Sequence, residues 1–292
     1  MNTYKLTTLA ALTLAATTLN AAEGFVLFGD NTEKPAAEEK FVRPVTAPYF
    51  HEDSFVTTDL RAWYLTHHFY GDTIKGDVEV AALQVRVALT EKLQFVAYKD
   101  GYTKFNDTLI DGVVDEGWND IGAGLKWAFL QDHENQVYMA VGLGYEFGWG
   151  DEDVLQDTDE YRVWVSWNKG YDKLHLGATA NLILADDEDE GVLGNADLVT
   201  LHFHADYYLT EWFSPVVEVN GYMSNGDALP FSGVDAVSIN GGDGEDTWTG
   251  AIGAEFRPIG DDLGLRIAYE TQINNDTSLF GHRWTASAVY EF

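Results

Sequence analysis

Short segments that alternate apolar and polar side chains recur along this chain, and that period of two constrains its fold more than any other feature. The alternation is most regular over residues 137–147, 174–184 and 199–209. An amphipathic helix would place its apolar residues three and four positions apart, and no segment sustains that spacing. The pattern predicts twelve antiparallel strands, at 56–67, 78–89, 93–102, 118–129, 137–148, 160–169, 173–185, 197–209, 213–223, 248–257, 263–273 and 282–292. The second segment breaks phase near Ala81 and Ala82, which predicts a β-bulge there.

The connections between these segments alternate between short and long. The short ones are 90–92, 131–136, 170–172, 210–212 and 258–262, and the longer, acidic ones include 150–159, 186–196 and 224–247. Strict alternation places every long connection at the same end of an up-and-down barrel, which is the extracellular end in outer-membrane barrels. Aromatic residues cluster at both predicted strand ends, as membrane interfaces require.

Both ends of the chain carry targeting features. Residues 1–21 combine Lys5, an apolar run and a small-residue exit, which predicts a secretory signal peptide cut near Ala21 or Ala22. The final strand ends on Phe292 with Tyr290 two residues earlier, and it resembles the C-terminal signal that the barrel assembly machinery recognises in Gram-negative outer-membrane proteins. We therefore predict an all-β, transmembrane, antiparallel up-and-down β-barrel of about twelve strands over residues 56–292, in the bacterial outer membrane. Residues 22–55 are predicted to be a periplasmic segment or a partial plug.

The charge balance excludes some functions and leaves others open. With 48 acidic against 17 basic residues, the net charge of −31 excludes nucleic-acid binding, and the lack of cysteine excludes disulfides and thiolate metal sites. The predicted extracellular loops form an acidic mouth at Asp151, Asp153, Asp186, Asp187 and Asp189. This mouth is either a solvated surface or a collector of cations, including divalent ions shared with lipopolysaccharide. Calcium-like patterns at 186–197 and 241–248 lack flanking helices or stacked copies, so we interpret them as loops.

Charged residues of both signs alternate out of phase with the apolar ones, so they must face the lumen, because a charge facing lipid is costly. The predicted pore-lining residues are Arg61, Arg86, Lys126, Glu146, Arg162, Asp206, Glu218, Glu255, Arg257, Arg266, Glu270 and Arg283. They either line a narrow water-filled pore or pair across a filled interior. We favour the pore. Bulky inward residues narrow it, namely Tyr138, Trp164, Tyr208 and Tyr222. Small residues open one wall, namely Gly122, Gly124, Gly142 and Gly144.

The mature chain resembles Gram-negative outer-membrane β-barrel proteins of porin or transporter type, most clearly at 94–102, 123–127 and 213–218. The resemblance implies the barrel architecture and the outer-membrane location, and it carries over no functional residue. Our leading hypothesis for the function is passive diffusion of small solutes or ions. The alternatives are a non-conducting structural or adhesive barrel, or a surface hydrolase using His202, His204 and Asp206 or the rim residue His282. No nucleophile accompanies those histidines, so we predict no enzyme, no cofactor and no metal site.

Overall fold

The computed structural model describes residues 23–30, 32–33, 40–69, 75–108, 114–154, 159–185, 197–224, 246–274 and 280–292. A single antiparallel sheet closes into a barrel of twelve strands. The strands are β1 (Asp59–Phe69), β2 (Asp77–Ala88), β3 (Leu93–Lys99 and Tyr102–Asn106), β4 (Glu116–Trp118 and Ile121–Asp132), β5 (Val137–Phe147), β6 (Glu160–Tyr171), β7 (Leu174–Ala185), β8 (Leu198–Tyr207), β9 (Phe213–Ser224), β10 (Thr247–Phe256), β11 (Leu263–Gln272) and β12 (Phe280–Glu291). Each of the twelve predicted strands overlaps one of these.

Closure follows from the pairing of the last strand with the first. Strand β12 runs antiparallel to β1 from Glu291 opposite Asp59 to Phe280 opposite Phe69, with one register shift near Phe280. Every other strand pairs with its neighbours in sequence. The five tight connections lie at the end of the barrel that holds the C-terminus, and the longer ones lie at the opposite end, as the sequence predicts. The end with the longer connections is hereafter called extracellular and the other periplasmic.

The predicted bulge near Ala81 and Ala82 is wrong in its position. The β2 register against β1 is continuous through both residues. The extra residue lies instead in β3, which is interrupted at Asp100 and Gly101, and the Asp100 carboxylate accepts the Leu83 N–H at 3.2 Å from each of its oxygens. The hydrophobic phase changes in β2 because its inward face becomes apolar near the extracellular end, at Val78 and Val80.

The outer surface of the barrel is an apolar belt. Outward side chains at mid-strand positions stay open to the surroundings, including Ile252 (67% exposed), Leu143 (61%) and Val217 (54%). So large a continuous apolar surface requires lipid around it. Aromatic residues border the belt at both ends, with Trp212 and Phe256 near the periplasmic end and Phe147 and Trp149 near the extracellular end. No helix among the described residues is long and apolar enough to cross a membrane.

The interior of the barrel is occupied by residues 40–58, which we call the plug. This segment enters beside the C-terminal strand, where the Lys40 ammonium lies 3.3 Å from the Glu291 carboxylate. It turns at Ala47, whose carbonyl accepts the N–H groups of Phe50 and His51 at 3.0 and 2.9 Å. It then returns to the periplasmic end, where the Thr58 carbonyl accepts the Phe292 N–H at 2.9 Å, and β1 begins.

Candidate functional site

The second arm of the plug, which follows the turn at Ala47 and runs back to the periplasmic end, presents two carboxylates to a basic part of the barrel wall. The Asp53 carboxylate lies 3.1 Å from an Arg61 nitrogen and 3.2 Å from the Lys126 ammonium. The Glu52 carboxylate lies 2.6 Å from an Arg86 nitrogen. All five side chains are buried. Three predicted lumen residues from β1, β2 and β4 therefore converge on two adjacent acids of the plug.

These contacts keep the two plug acids ionised. Burial alone raises the pKa of Asp53, but the positive charges of Lys126, Arg43 and Arg61 hold that pKa well below its usual value. Burial also opposes ionisation of Glu52, and the Arg86 guanidinium is the main group that lowers its pKa nonetheless. The plug is thus attached to this wall by charge pairs.

Strands β8 and β9, on the opposite wall, hold the first arm of the plug, residues 42–46, through carboxylates that accept backbone N–H groups. The Glu218 carboxylate accepts those of Val45 and Thr46 at 2.9 and 2.8 Å, and also the Thr46 hydroxyl. The Asp206 carboxylate accepts the N–H of Val42 at 3.2 Å. Alternation along β8 and β9 points both acids inward, and the plug backbone supplies the donors that their burial requires.

Arg162 supports the tip of the plug. Its guanidinium donates to the carbonyls of Tyr49 and Phe50 at 2.5 and 2.8 Å and lies over the rings of Tyr98 and Trp164 at 4.6 and 4.8 Å. Glycines of the neighbouring strands make room for these rings, because a Cβ built on Gly142 would overlap the Trp164 ring and one on Gly122 or Gly144 would meet the Tyr98 ring. Three of the four glycines that we expected to open a wall are therefore covered by aromatic side chains, and the fourth, Gly124, lies against the backbone of Leu143 and Gly144.

An apolar layer covers the plug tip on its extracellular side. Tyr49 and Phe50 of the plug belong to a buried cluster with residues near the extracellular strand ends, among them Phe69, Val78 and Phe280. Over the described part of the chain, the interior is thus filled by a polar, ion-paired layer below and an apolar layer above. At the level of the plug the interior is filled rather than open. The contacts there match the second alternative from the sequence, in which the lumen charges pair across a filled interior.

The remaining predicted lumen residues also point inward, and all of them are buried. Glu255 lies 2.7 Å from Arg257 and 2.8 Å from Arg266, and Glu270 lies 2.6 Å from Arg283. Arg266 also donates to the Pro44 carbonyl of the plug at 3.2 Å. Glu146 pairs with Lys99. Their role in lining a conducting pore stays a prediction.

Of the histidines considered for hydrolysis, His202 and His204 face the lumen close to Asp206, and His282 lies apart from them. His204 is held between Glu218 at 2.7 Å and Asp206 at 3.0 Å, and His202 contacts Asn220 at 2.8 Å, all inside the barrel. His282 lies on the outward phase of β12 near the extracellular end, with its ring centroid 5.0 Å from that of His68. Within the described ranges, no group of three or more potential ligands is arranged to hold a metal ion.

The predicted mouth and targeting sequences are only partly visible. The Asp151 carboxylate accepts the Trp118 N–H at 2.7 Å, and Asp153 is exposed beside a short 3-10 turn, Glu152–Val154. Three residues of the predicted mouth lie outside the described residues: Asp186, Asp187 and Asp189. The signal peptide at 1–21 and both calcium-like patterns, except for the last residues of each pattern, also lie outside them. Tyr290 and Phe292 lie together at the periplasmic rim, 5.0 Å between ring centroids, and their role in assembly stays a prediction.

The sequence predicts a periplasmic segment or a partial plug here, but it does not identify the plug residues that contact the wall. A usable signal was present, because residues 40–54 place Phe41, Val42, Val45, Tyr49 and Phe50 among charged residues, which is more apolar than a solvated tail requires. Together with an even strand count that puts both chain ends at one opening, this composition favours insertion into the lumen. Its particular partners depend on three-dimensional register and could not be read from the sequence.

Fold and site together define an outer-membrane β-barrel with an internal N-terminal plug. The chain is similar to the COG4313 outer membrane channel from Pseudomonas putida F1, with 11% identity over 84% of this chain and 98% of that one, at a TM-score of 0.58. It is also similar to the NanC porin, with 11% identity over 81% of this chain and all (100%) of that one, at a TM-score of 0.53. No family model and no curated protein matches the sequence. These likenesses establish the fold, that of bacterial outer-membrane channels.

Proposed function

We propose that this protein is an outer-membrane channel for small polar solutes or ions whose lumen is closed by its own plug. The observation that carries the proposal is the chemistry between plug and wall. Residues 42–54 make hydrogen bonds and ion pairs to inward Arg, Lys, Asp, Glu, Asn and Thr side chains. Water can replace the plug at such groups, so its displacement leaves a lining that water and solutes can occupy.

A filled interior also supports a second candidate, a non-conducting structural barrel. The apolar layer above the plug tip is the specific observation in its favour, because Phe69, Phe105 and Phe280 would have to move before anything passed. Under this alternative the plug is a permanent core. The predicted selectivity by lumen charges and an acidic mouth belongs only to the channel.

Conductance in planar bilayers separates the two candidates. We expect discrete current steps from the purified mature protein, with the open fraction increased by Glu218→Gln, which weakens the plug backbone contacts. Thr200→Ser is a matched wall substitution that retains a hydroxyl and should leave the open fraction unchanged. Silence of both the native chain and Glu218→Gln at every voltage would favour the structural barrel.

A further inference from the structure

The acidic side chains of Glu52 and Asp53, which belong to the plug, occupy a basic site of the barrel wall in the way that a bound acidic ligand would. Their carboxylates receive the Arg86, Arg61 and Lys126 cations at distances of 2.6 to 3.2 Å. The Asp53 backbone carbonyl accepts a second bond from Lys126 at 2.9 Å. The three cations come from three different wall strands, so this basic site belongs to the wall and its acidic occupant to the plug.

The occupant does not saturate the site. Arg86 Nε and the second Glu52 carboxylate oxygen are both buried, and within the described ranges neither has a hydrogen-bond partner. Arg86 therefore holds Glu52 through a single terminal nitrogen, and its other terminal nitrogen donates to Gln84 at 3.3 Å, although a guanidinium binds a carboxylate best through two parallel bonds. An acidic group not tethered to the plug backbone is able to take the better geometry.

Displacement of the plug leaves a strong requirement for negative charge. Arg61 retains Asp59 as a wall partner at 2.7 Å, but Arg86 and Lys126 lose the carboxylates that pair with them here. Neighbouring cations without counter-charges repel one another, so an anionic solute stabilises the displaced state more than a neutral or cationic one. A solute with two carboxylates replaces both acids at once.

We propose that Arg61, Arg86 and Lys126 form a binding site for small dicarboxylates, which displace Glu52 and Asp53 and so open the lumen. This inference rests on the proposed channel function and names its solute class. One carboxylate takes the place of Glu52 at Arg86, and the other takes the place of Asp53 between Arg61 and Lys126. The plug acids then act as a built-in competitor that keeps the channel closed until solute arrives.

The test is bilayer recording of the full mature protein with succinate as the probe, at constant ionic strength. Succinate should raise the open fraction at least about tenfold more than acetate at equal concentration, and putrescine should not raise it. Arg86→Gln should weaken the apparent succinate affinity about tenfold or more. Equal responses to succinate, acetate and putrescine would overturn the inference.

A second variant keeps the test independent of folding at Arg86. Glu52→Gln with Asp53→Asn should open the channel without succinate and give a reversal potential on the anion-selective side in a KCl gradient. Glu211→Gln with Asp172→Asn removes the same two charges from exposed periplasmic turns and should behave as the native chain. Cation selectivity of the open double variant would refute the dicarboxylate site and leave the channel intact, whereas silence of every variant would refute the channel itself.

Discussion

Replacing Glu218 by glutamine should release the plug, because this one carboxylate binds four donors. One oxygen accepts the Val45 N–H at 2.9 Å and contacts His204 at 2.7 Å, and the other accepts the N–H and hydroxyl of Thr46. Glutamine keeps one acceptor oxygen and turns the other position into an NH₂ donor. Whichever way the amide is oriented, at least one plug N–H then faces a donor.

The magnitude follows from the loss at that N–H. A hydrogen bond to a charged group contributes about 1.5–3 kcal/mol, and leaving a buried donor unsatisfied costs about 1–3 kcal/mol. Taking about 3 kcal/mol for the combined effect, the ratio of displaced to docked plug rises about a hundredfold, since 1.4 kcal/mol is a factor of ten.

Thiol labelling measures this ratio directly, because the chain has no cysteine. Ser54→Cys places a single thiol on a plug residue that is fully buried in the docked state. Its labelling rate in lipid vesicles should rise about a hundredfold when Glu218→Gln is added. Glu270→Gln is the matched control, because its partners Arg283, Asn220 and Thr249 all belong to the wall. A labelling rate within about threefold of the Ser54→Cys parent would refute the reasoning.

Three further outcomes are expected. Gly142→Ala should destabilise the barrel by about 1–3 kcal/mol in denaturant unfolding, because its methyl group overlaps the Trp164 ring; an unchanged midpoint would contradict this packing. Ile252→Arg should cost about 2–4 kcal/mol in the same assay if its side chain faces lipid, whereas no loss would place it elsewhere. Burial lowers the pKa of His51 from 6.5 to about 4, so the displaced plug takes up the proton first and docking weakens as the pH falls through that window. The labelling rate of Ser54→Cys should therefore rise more toward pH 4 in the native background than with His51→Gln. Equal dependence of the labelling rate on pH in the two backgrounds would show that His51 does not cause the pH dependence of docking.

The barrel was predictable because its determinants are local. Alternation in β7 and β8 fixes which side chains face lipid, and the same period turns Glu218 and Arg162 inward without knowledge of their partners. The order of short and long connections then fixes which rim is which. These inferences need only the sequence spacing within one strand or one hairpin.

The plug contacts were not predictable for the opposite reason. Asp53 meets Lys126, which is 73 positions away in the sequence, and Thr46 meets Glu218, which is 172 positions away. Such pairs depend on barrel closure and on the depth to which the segment inserts. The bulge in β3 was misplaced for a related cause: the change of hydrophobic phase in β2 reflects the apolar layer inside the barrel, which includes Phe105 and Phe280 from other strands.

The most direct test of a channel closed by its own plug is to lock the plug and record current. Thr46 and Asn220 touch through a 2.9 Å hydrogen bond between their side chains, so Thr46→Cys with Asn220→Cys allows a single cross-link between plug and wall. We predict no current steps in the cross-linked protein and steps that appear on reduction in the same bilayer. Equal conductance before and after reduction would contradict the account.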